Sequence, residues 1–162
     1  MSNHSDIAAV YRQHADMLYR IAVSMLQNTA EAEDALQDVF EKYIALPIRP
    51  LDEEHTKAWL IRVMINRCHD RHRREKLHRT EKLDTALLIS DHTQDHEGLL
   101  SLMEKLHRLP EKLRNVVILH CLEGFSLQET ARLLRISHSA AKMRLQRARE
   151  MLKKQMEEEK RV

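Results

Sequence analysis

The sequence predicts an all-α protein built as two small helical domains joined by a flexible linker. Helix-forming residues that lose little side-chain entropy (Leu, Ala, Met, Glu, Lys and Arg) dominate, and the 162 residues include 2 glycines, 3 prolines and 4% aromatic residues. Strands favour β-branched and aromatic runs, which are scarce here. Apolar residues instead recur at three- and four-residue steps, on both sides of a polar stretch that divides the chain.

The first domain is predicted to cover residues 1–79 and to form a helical bundle. The apolar spacing predicts three helices in it, at about Asp6–Leu26, Ala30–Ala45 and Glu54–Leu77. Thr29 is expected to cap the second helix, because its hydroxyl can accept a hydrogen bond from a free amide of the first turn. Pro47 and Pro50 disfavour helical backbone before them and separate the second helix from the third.

Residues 80–96 are predicted to form the linker between the two domains. Polar residues replace the apolar pattern there, apart from Leu87-Leu88-Ile89, a candidate docking segment. At about 3.3 Å per extended residue, roughly 17 residues reach on the order of 55 Å. Two domains joined in this way could occupy two well-separated binding sites.

The second domain, residues 97–162, carries the pattern of a helix-turn-helix. Its predicted helices are Gly98–Leu109, Glu111–Leu122, Leu127–Leu134 and His138 to about Gln155. Gly124 suits a left-handed position at a helix end, and Ser126 with Glu129 forms a capping-box pattern. A short turn, Arg135-Ile136-Ser137, then leads into a basic helix that Ser137 can cap, which is the order found in helix-turn-helix motifs.

Charge is distributed unevenly along the chain, although the formal net charge is only +2. The segments Lys57–Arg79 and His138–Lys154 carry formal charges of +6 and +5, whereas Gln27–Ala45 carries −4. Two basic surfaces indicate a polyanion such as nucleic acid, and the acidic surface indicates a basic protein partner.

Trp59 lies on the basic third helix, which gives this segment two interpretations. An aromatic ring beside a basic stripe can stack on an unpaired base, as in proteins that bind single strands. Alternatively, Trp59 belongs to the core and part of the charge complements the helix dipole. Both interpretations stay open at the level of sequence.

The last predicted helix separates into two faces at about 100° per residue. Ala141, Leu145, Ala148 and Leu152 fall in one arc and are expected to face the core. Polar groups near the start of such a helix suit base edges, and flanking cations suit phosphates. The predicted DNA-facing residues are His138, Ser139, Lys142, Met143, Arg144, Gln146, Arg147 and Arg149. The alternative is a solvated basic face on a bundle helix.

Several other classes of protein are disfavoured. The two cysteines, Cys68 and Cys121, are too few for a disulfide framework, and nothing resembles a secretory leader or a membrane span, so we expect a cytoplasmic protein. Cys68, His69 and His72 lack a fourth ligand and a common face, so no metal and no cofactor is expected. No nucleophile–base pair or phosphate-binding glycine loop stands out, and we expect neither an enzyme nor a small-molecule substrate.

Three motifs, in this order and spacing, closely resemble the extracytoplasmic-function (ECF) sigma factors of the sigma-70 family. They are Ala32–Phe40, Lys57–Arg74 and Gly124–Arg149. The resemblance implies a sigma region 2 helical bundle followed by a sigma region 4 helix-turn-helix, and promoter-specific transcription initiation in a stress or envelope response. The implied partners are core RNA polymerase (its β′ and β subunits), promoter DNA and an anti-sigma factor, for which the family suggests membrane anchoring.

The resemblance also assigns a role to each motif. The motif Ala32–Phe40 resembles region 2.2, which docks on the β′ coiled coil, and it implies the docking residues Glu33, Asp34, Gln37, Asp38 and Phe40. The motif Lys57–Arg74 resembles regions 2.3–2.4, which melt and read the minus-10 element, and it implies Trp59, Arg62, Asn66, Arg67, Asp70, Arg71, Arg73 and Arg74. The motif Gly124–Arg149 resembles region 4.2, which reads the minus-35 element through the DNA-facing residues given above. The loop Leu46–Glu54 stands where such proteins capture a flipped-out promoter base.

The sequence also allows two other functions, a conventional transcription regulator and a metal-dependent hydrolase. In a conventional regulator, the helix-turn-helix would bind operator DNA without polymerase while the first domain senses a ligand. That alternative predicts specific DNA binding by the free protein, whereas a sigma factor binds weakly or not at all until core polymerase is present. A metal-dependent hydrolase using the histidines would instead carry stoichiometric metal.

Overall fold

The computed structural model describes residues 3–77 and 96–161. These residues form seven α-helices and no strand, which confirms the all-α fold class. The chain divides into two compact units between residues 84 and 85. Residues 80–95 of the predicted linker lie outside the described residues, and so does the candidate docking segment Leu87-Leu88-Ile89.

The first unit is a bundle of three mutually contacting helices, α1 (Asn3–Leu26), α2 (Thr29–Ala45) and α3 (Glu53–Leu77). Each helix contributes an apolar stripe at helical spacing, and the three stripes bury one another. The side chains buried most completely at its centre are Leu18, Ile21, Met25, Val39, Leu60, Ile61 and Met64.

The start of α2 corrects the sequence prediction by one residue. Asn28, and not Thr29, is the N-cap: its backbone is extended (φ −148°, ψ 119°) and its side-chain oxygen accepts a hydrogen bond from the Glu31 amide at 3.0 Å. Gln27 before it is left-handed (φ 53°) and fully buried, and its amide donates to the Val23 carbonyl. The chain therefore turns one residue earlier than predicted, and Thr29 is already helical.

The second unit contains α4 (His96–Arg108), α5 (Glu111–Val116), α6 (Leu127–Leu134) and α7 (His138–Lys160). A π-helical turn, Val117–Leu122, continues α5, so the predicted second helix is helical throughout but widens in its second half. The Glu123 amide donates to the Ile118 carbonyl, five residues back, at 3.0 Å. Gly124 then takes the predicted left-handed conformation (φ 82°).

The core of the second unit is centred on α7. Ala141, Leu145 and Ala148 are buried there as predicted, and Leu152 packs against the same core. The apolar cluster around Ala148 consists of Met103, Leu106, Leu109, Leu113 and Val117. Each module is small, so its stability depends on this close packing of short helices.

The last helix is longer than predicted, ending at Lys160 rather than near Gln155. Its final turns are held against α4 by two polar contacts. Gln155 Nε2 donates to the Lys105 carbonyl at 3.4 Å, and Lys105 Nζ lies 2.9 Å from a carboxylate oxygen of Glu159. The one apolar residue of the extension, Met156, is exposed, so no buried apolar pattern in the sequence indicates these extra turns.

We expect Leu60→Ala to lower the free energy of unfolding by about 2–5 kcal/mol, because Leu60 has no solvent exposure and truncation leaves a cavity. Leu51→Ala is the matched control, since Leu51 is fully exposed and the same change there should alter stability by less than about 0.5 kcal/mol. Chemical denaturation of both variants measures the difference. Equal losses would contradict the assignment of Leu60 to the core.

Candidate nucleic-acid and protein interfaces

The outer face of α3 gathers many of the predicted minus-10 residues. Leu60 and Ile61 face the core, so Trp59, Asn66 and Arg73, spaced seven residues apart, share a stripe on the opposite side of the helix. Asn66 and Arg73 are exposed, whereas Trp59 is half-buried. Arg62, Asp70 and Arg74 are also reached by solvent.

The environment of Trp59 is compatible with both a core role and a base-stacking role. Its ring centroid lies 5.9 Å from that of Tyr43, at an interplanar angle of 53°, so the indole contributes to an aromatic cluster of the bundle. The ring is nevertheless only half-buried. The exposed part lies on the same helical stripe as Asn66 and Arg73.

Two predicted minus-10 cations lie at the seam between α2 and α3 instead of on the outer face. Arg67 Nε donates to Asp38 Oδ2 at 2.6 Å, and Arg71 Nη2 donates to Glu31 Oε1 at 2.8 Å. The side chains of Arg67 and Arg71 are 18% and 32% exposed. These pairs join residues far apart in sequence, and the opposite charges of the two segments were the signal that could have indicated them.

The predicted docking residues separate into an exposed ridge and a supporting core residue. Glu33, Asp34 and Gln37 are exposed along α2, and Asp38 is half-buried at the edge that faces α3. Phe40 is only 6% exposed. Its ring centroid lies 4.8 Å from that of Tyr11, a half-exposed residue of α1 that sequence reasoning did not single out.

The loop between α2 and α3 borders a cavity of about 730 Å³. Arg49 fixes the start of this loop, because its Nη2 donates to the Ile44 carbonyl at 3.1 Å and its guanidinium lies 5.5 Å from the Tyr43 ring centroid. Ile48 and Leu51 of the loop are exposed. The polar side chains that line the cavity are Asp6, Gln13, His14, Tyr43, Arg49, Asp52, Glu53 and Thr56.

Hydrogen bonds organise the α3 side of this cavity. Asp52 Oδ1 accepts from the His55 amide at 2.7 Å, and this bond, together with a contact to the His55 ring, holds the pKa of Asp52 below its ordinary value. Gln13 of α1 donates to Glu53 across the cavity. Burial lowers the pKa of His14 and so favours the neutral form of its ring.

The helix-turn-helix presents the predicted face of α7 to solvent. Ser126 accepts from the Glu129 amide and Ser137 from the Ala140 amide, each at 3.0 Å, so both helices begin where the sequence predicts. Of the predicted DNA-facing residues, Arg144 is half-buried. The exposed ones are His138, Ser139, Lys142, Met143, Gln146, Arg147 and Arg149.

The structure gives no support for a metal site or for a membrane-spanning helix in the part of the chain that it describes. Cys68 is buried and His69 is exposed, so they do not share a face. Within residues 3–77 and 96–161, no group of three or more His, Cys, Asp or Glu side chains could hold a metal ion. In that same part of the chain, no helix has the length and apolar character that crossing a membrane requires.

Both units match models of one protein family. Residues 10–78 match Sigma-70 region 2, and residues 99–152 match Sigma-70, region 4. The chain is also 32% identical over 143 residues to the ECF RNA polymerase sigma factor SigM of Mycobacterium tuberculosis, covering 88% of this chain and 73% of that protein. The chain belongs to the ECF sigma factors of the sigma-70 family.

Other ECF sigma factors and solved structures agree with this assignment. The ECF RNA polymerase sigma factor SigW of Bacillus subtilis is 29% identical over 168 residues, covering 94% of this chain and 88% of that one. CnrH, solved in complex with the cytosolic domain of CnrY, superposes with a TM-score of 0.70 at 25% identity, covering 96% and 90% of the two chains. RpoE of Bartonella quintana, solved with the anti-sigma factor NepR, has the same fold (TM-score 0.74, 22% identity, coverage 94% and 97%).

This sigma factor therefore directs promoter-specific transcription initiation, with core RNA polymerase and promoter DNA as its partners. Sigma factors are initiation factors rather than enzymes. The match to region 2 assigns the first unit to the sigma family rather than to a ligand-sensing module. The family assignment thus decides against the operator-binding alternative.

We expect the Asp38–Arg67 pair to contribute about 0.2–1 kcal/mol to the free energy of unfolding, because both side chains are partly exposed and water screens their attraction. A double-mutant cycle with Asp38→Asn and Arg67→Gln measures this coupling energy. The control cycle pairs Asp34→Asn with Arg67→Gln and should give no coupling. A coupling energy of zero for Asp38 and Arg67 would contradict the expected contribution of this pair to stability.

Proposed function

We propose that three charged surfaces of this ECF sigma factor divide the work of initiation. One observation carries the proposal: the core uses the apolar stripes of α2, α3 and α7, and the stripes left in solvent carry opposite charges. The acidic stripe on α2 suits a basic protein surface, and the basic stripes on α3 and α7 suit DNA.

The exposed ridge of α2 is the proposed docking surface for the β′ coiled coil of core polymerase. Glu33, Asp34 and Gln37 contact the partner directly, and Asp38 does so at the edge of the ridge. Phe40 is buried, so its contribution is to support the ridge from the core side. The charge of the ridge gives specificity and speeds association more than it adds affinity.

The outer face of α3 is the proposed surface that opens and reads the minus-10 element. Trp59 offers a partly exposed ring for stacking, and Asn66, Asp70 and Arg73 offer polar groups and charge beside it. Arg62 and Arg74 extend the basic surface, and Arg67 and Arg71 reach its edge from the seam. The cavity beside the loop Leu46–Glu54 is large enough to accept a base, whose extrusion from the duplex costs a few kcal/mol.

The exposed face of α7 is the proposed surface that binds the minus-35 element in the major groove. His138, Ser139, Lys142 and Met143 lie in its first two turns, where base edges are contacted in helix-turn-helix proteins. The remaining members of the surface, which flank those turns or follow them along the helix, are Arg144, Gln146, Arg147 and Arg149.

Regulation by an anti-sigma factor is the remaining part of the proposal. CnrH was solved with the cytosolic domain of CnrY, and RpoE of Bartonella quintana with the anti-sigma factor NepR. We propose that this chain also binds an anti-sigma factor, which is anchored in the membrane, holds the chain inactive in the cytoplasm and releases it on stress or an envelope signal. When bound, the anti-sigma factor would cover the docking ridge of α2 and the basic faces of α3 and α7. The chain itself needs no cofactor and performs no catalysis.

Transcription in vitro with sigma-free core polymerase on genomic DNA tests the proposed function directly. Adding the full-length chain should produce new, discrete start sites, because the chain supplies promoter recognition that core polymerase lacks. Mapping of the transcript 5′ ends measures this. If no new start site appears, the proposed function fails.

The proposed division of surfaces predicts that two variants impair different steps of initiation. Asp34→Arg should weaken core binding about tenfold, because it places like charge against a basic partner, while Arg147→Ala should reduce promoter use and leave core binding unchanged. Asp34 is preferred to Asp38 for this test, because reversal of Asp38 would also repel Arg67.

The matched controls are Glu104→Arg and Arg161→Ala, which change exposed residues of the same charge outside the proposed surfaces. Affinity for core is measured by fluorescence titration, and promoter use by transcript yield at saturating core. Loss of core binding in both Asp34→Arg and Arg147→Ala would contradict the division.

A further inference from the structure

The turn of the helix-turn-helix contains an arginine in a conformation that arginine rarely adopts. Arg135 ends α6 with φ 57° and ψ 46°, in the left-handed region, and its amide bonds to the carbonyls of Ala131 and Arg132. A side chain with a Cβ is strained in this region, and glycine or asparagine is the usual occupant.

Two other positions of this chain show how left-handed backbone is normally accommodated. Gly124 uses a glycine at φ 82°. Gln27, at φ 53°, is fully buried, so packing around its side chain holds it in place. Arg135 has neither feature, because it carries a side chain and is exposed. The fold alone therefore gives no reason for an arginine there, and such outliers often mark functional positions.

The position of Arg135 supplies a reason. It lies three residues before His138, the start of the helix that carries the exposed basic face. In a bound helix-turn-helix, the first helix crosses the DNA backbone and the second enters the groove, so the turn between them lies beside phosphates. Arginine matches a phosphate with two parallel N–H donors.

We propose that Arg135 binds a phosphate of the promoter backbone from the turn, and so fixes the register of α7 in the groove. This inference rests on the proposed function, since it requires the second unit to bind duplex DNA. The contact carries no sequence information, and it adds one ionic interaction to those made by α7.

The test uses full-length Arg135→Asn, assembled with core polymerase, on a promoter recovered from the genomic transcription experiment. Asparagine tolerates left-handed backbone, so the thermal midpoint should stay unchanged or rise. Affinity for the promoter should fall about 3- to 10-fold, and the slope of log K against log salt should flatten by about 0.9, the value for one lost phosphate contact. Arg135→Lys should keep most of that slope.

Arg161→Asn is the matched control, because Arg161 is also an exposed arginine at the end of a helix but has ordinary backbone (φ −86°) and lies at the opposite end of α7. It should leave the slope unchanged. An unchanged slope in Arg135→Asn, or an equal loss of core binding, would overturn the proposal. Absence of transcription with the unaltered chain would instead be a failure of the proposed function.

Discussion

The burial of one stripe of α3 is the constraint on which the first unit depends. A helix repeats every 3.6 residues, so placing Leu60, Ile61 and Met64 in the core determines what every other side chain of α3 faces. Trp59, Asn66 and Arg73 are directed outward by this choice. Arg67 and Arg71 are directed to the flank that meets α2. The chemistry of the surface is therefore a consequence of packing beneath it.

The pairing of α2 with α3 gives the charge asymmetry a structural role as well as a functional one. The sequence indicates an acidic helix and a basic helix, and it suggests separate partners for them. In the structure they are neighbours, joined by Asp38–Arg67 and Glu31–Arg71. Part of each charge thus neutralises the other, and the residues outside the seam carry most of the charge that is left for partners. Partly exposed pairs of this kind contribute modestly to stability, but they define which charges are shared.

Sequence reasoning succeeded where the determinants are local. Apolar periodicity located the helices, and Ser126, Ser137 and Gly124 marked the ends that flank the helix-turn-helix, because caps and left-handed residues act within one turn. Sequence reasoning was less successful where residues distant in sequence determine the local structure. Thr29 was replaced as the cap by Asn28, since the buried turn at Gln27 sets the chain direction. The cavity beside α3 combines residues of α1 with residues of the segment Tyr43–Thr56, which are distant in sequence, so no local pattern could indicate it.

The contacts between α4 and the C-terminal end of α7 also help to determine how accurately the first turn of α7 is placed. At about 1.5 Å per residue, the 23 residues of α7 form a lever roughly 34 Å long. A tilt of about 5° about its far end would displace His138 by roughly 3 Å, which is the length of a hydrogen bond. Lys105 and Glu159, at that far end, hold α7 against α4. Residues remote from the proposed DNA-facing surface thus add to the buried stripe of α7 in limiting the angular error of the helix that carries this surface.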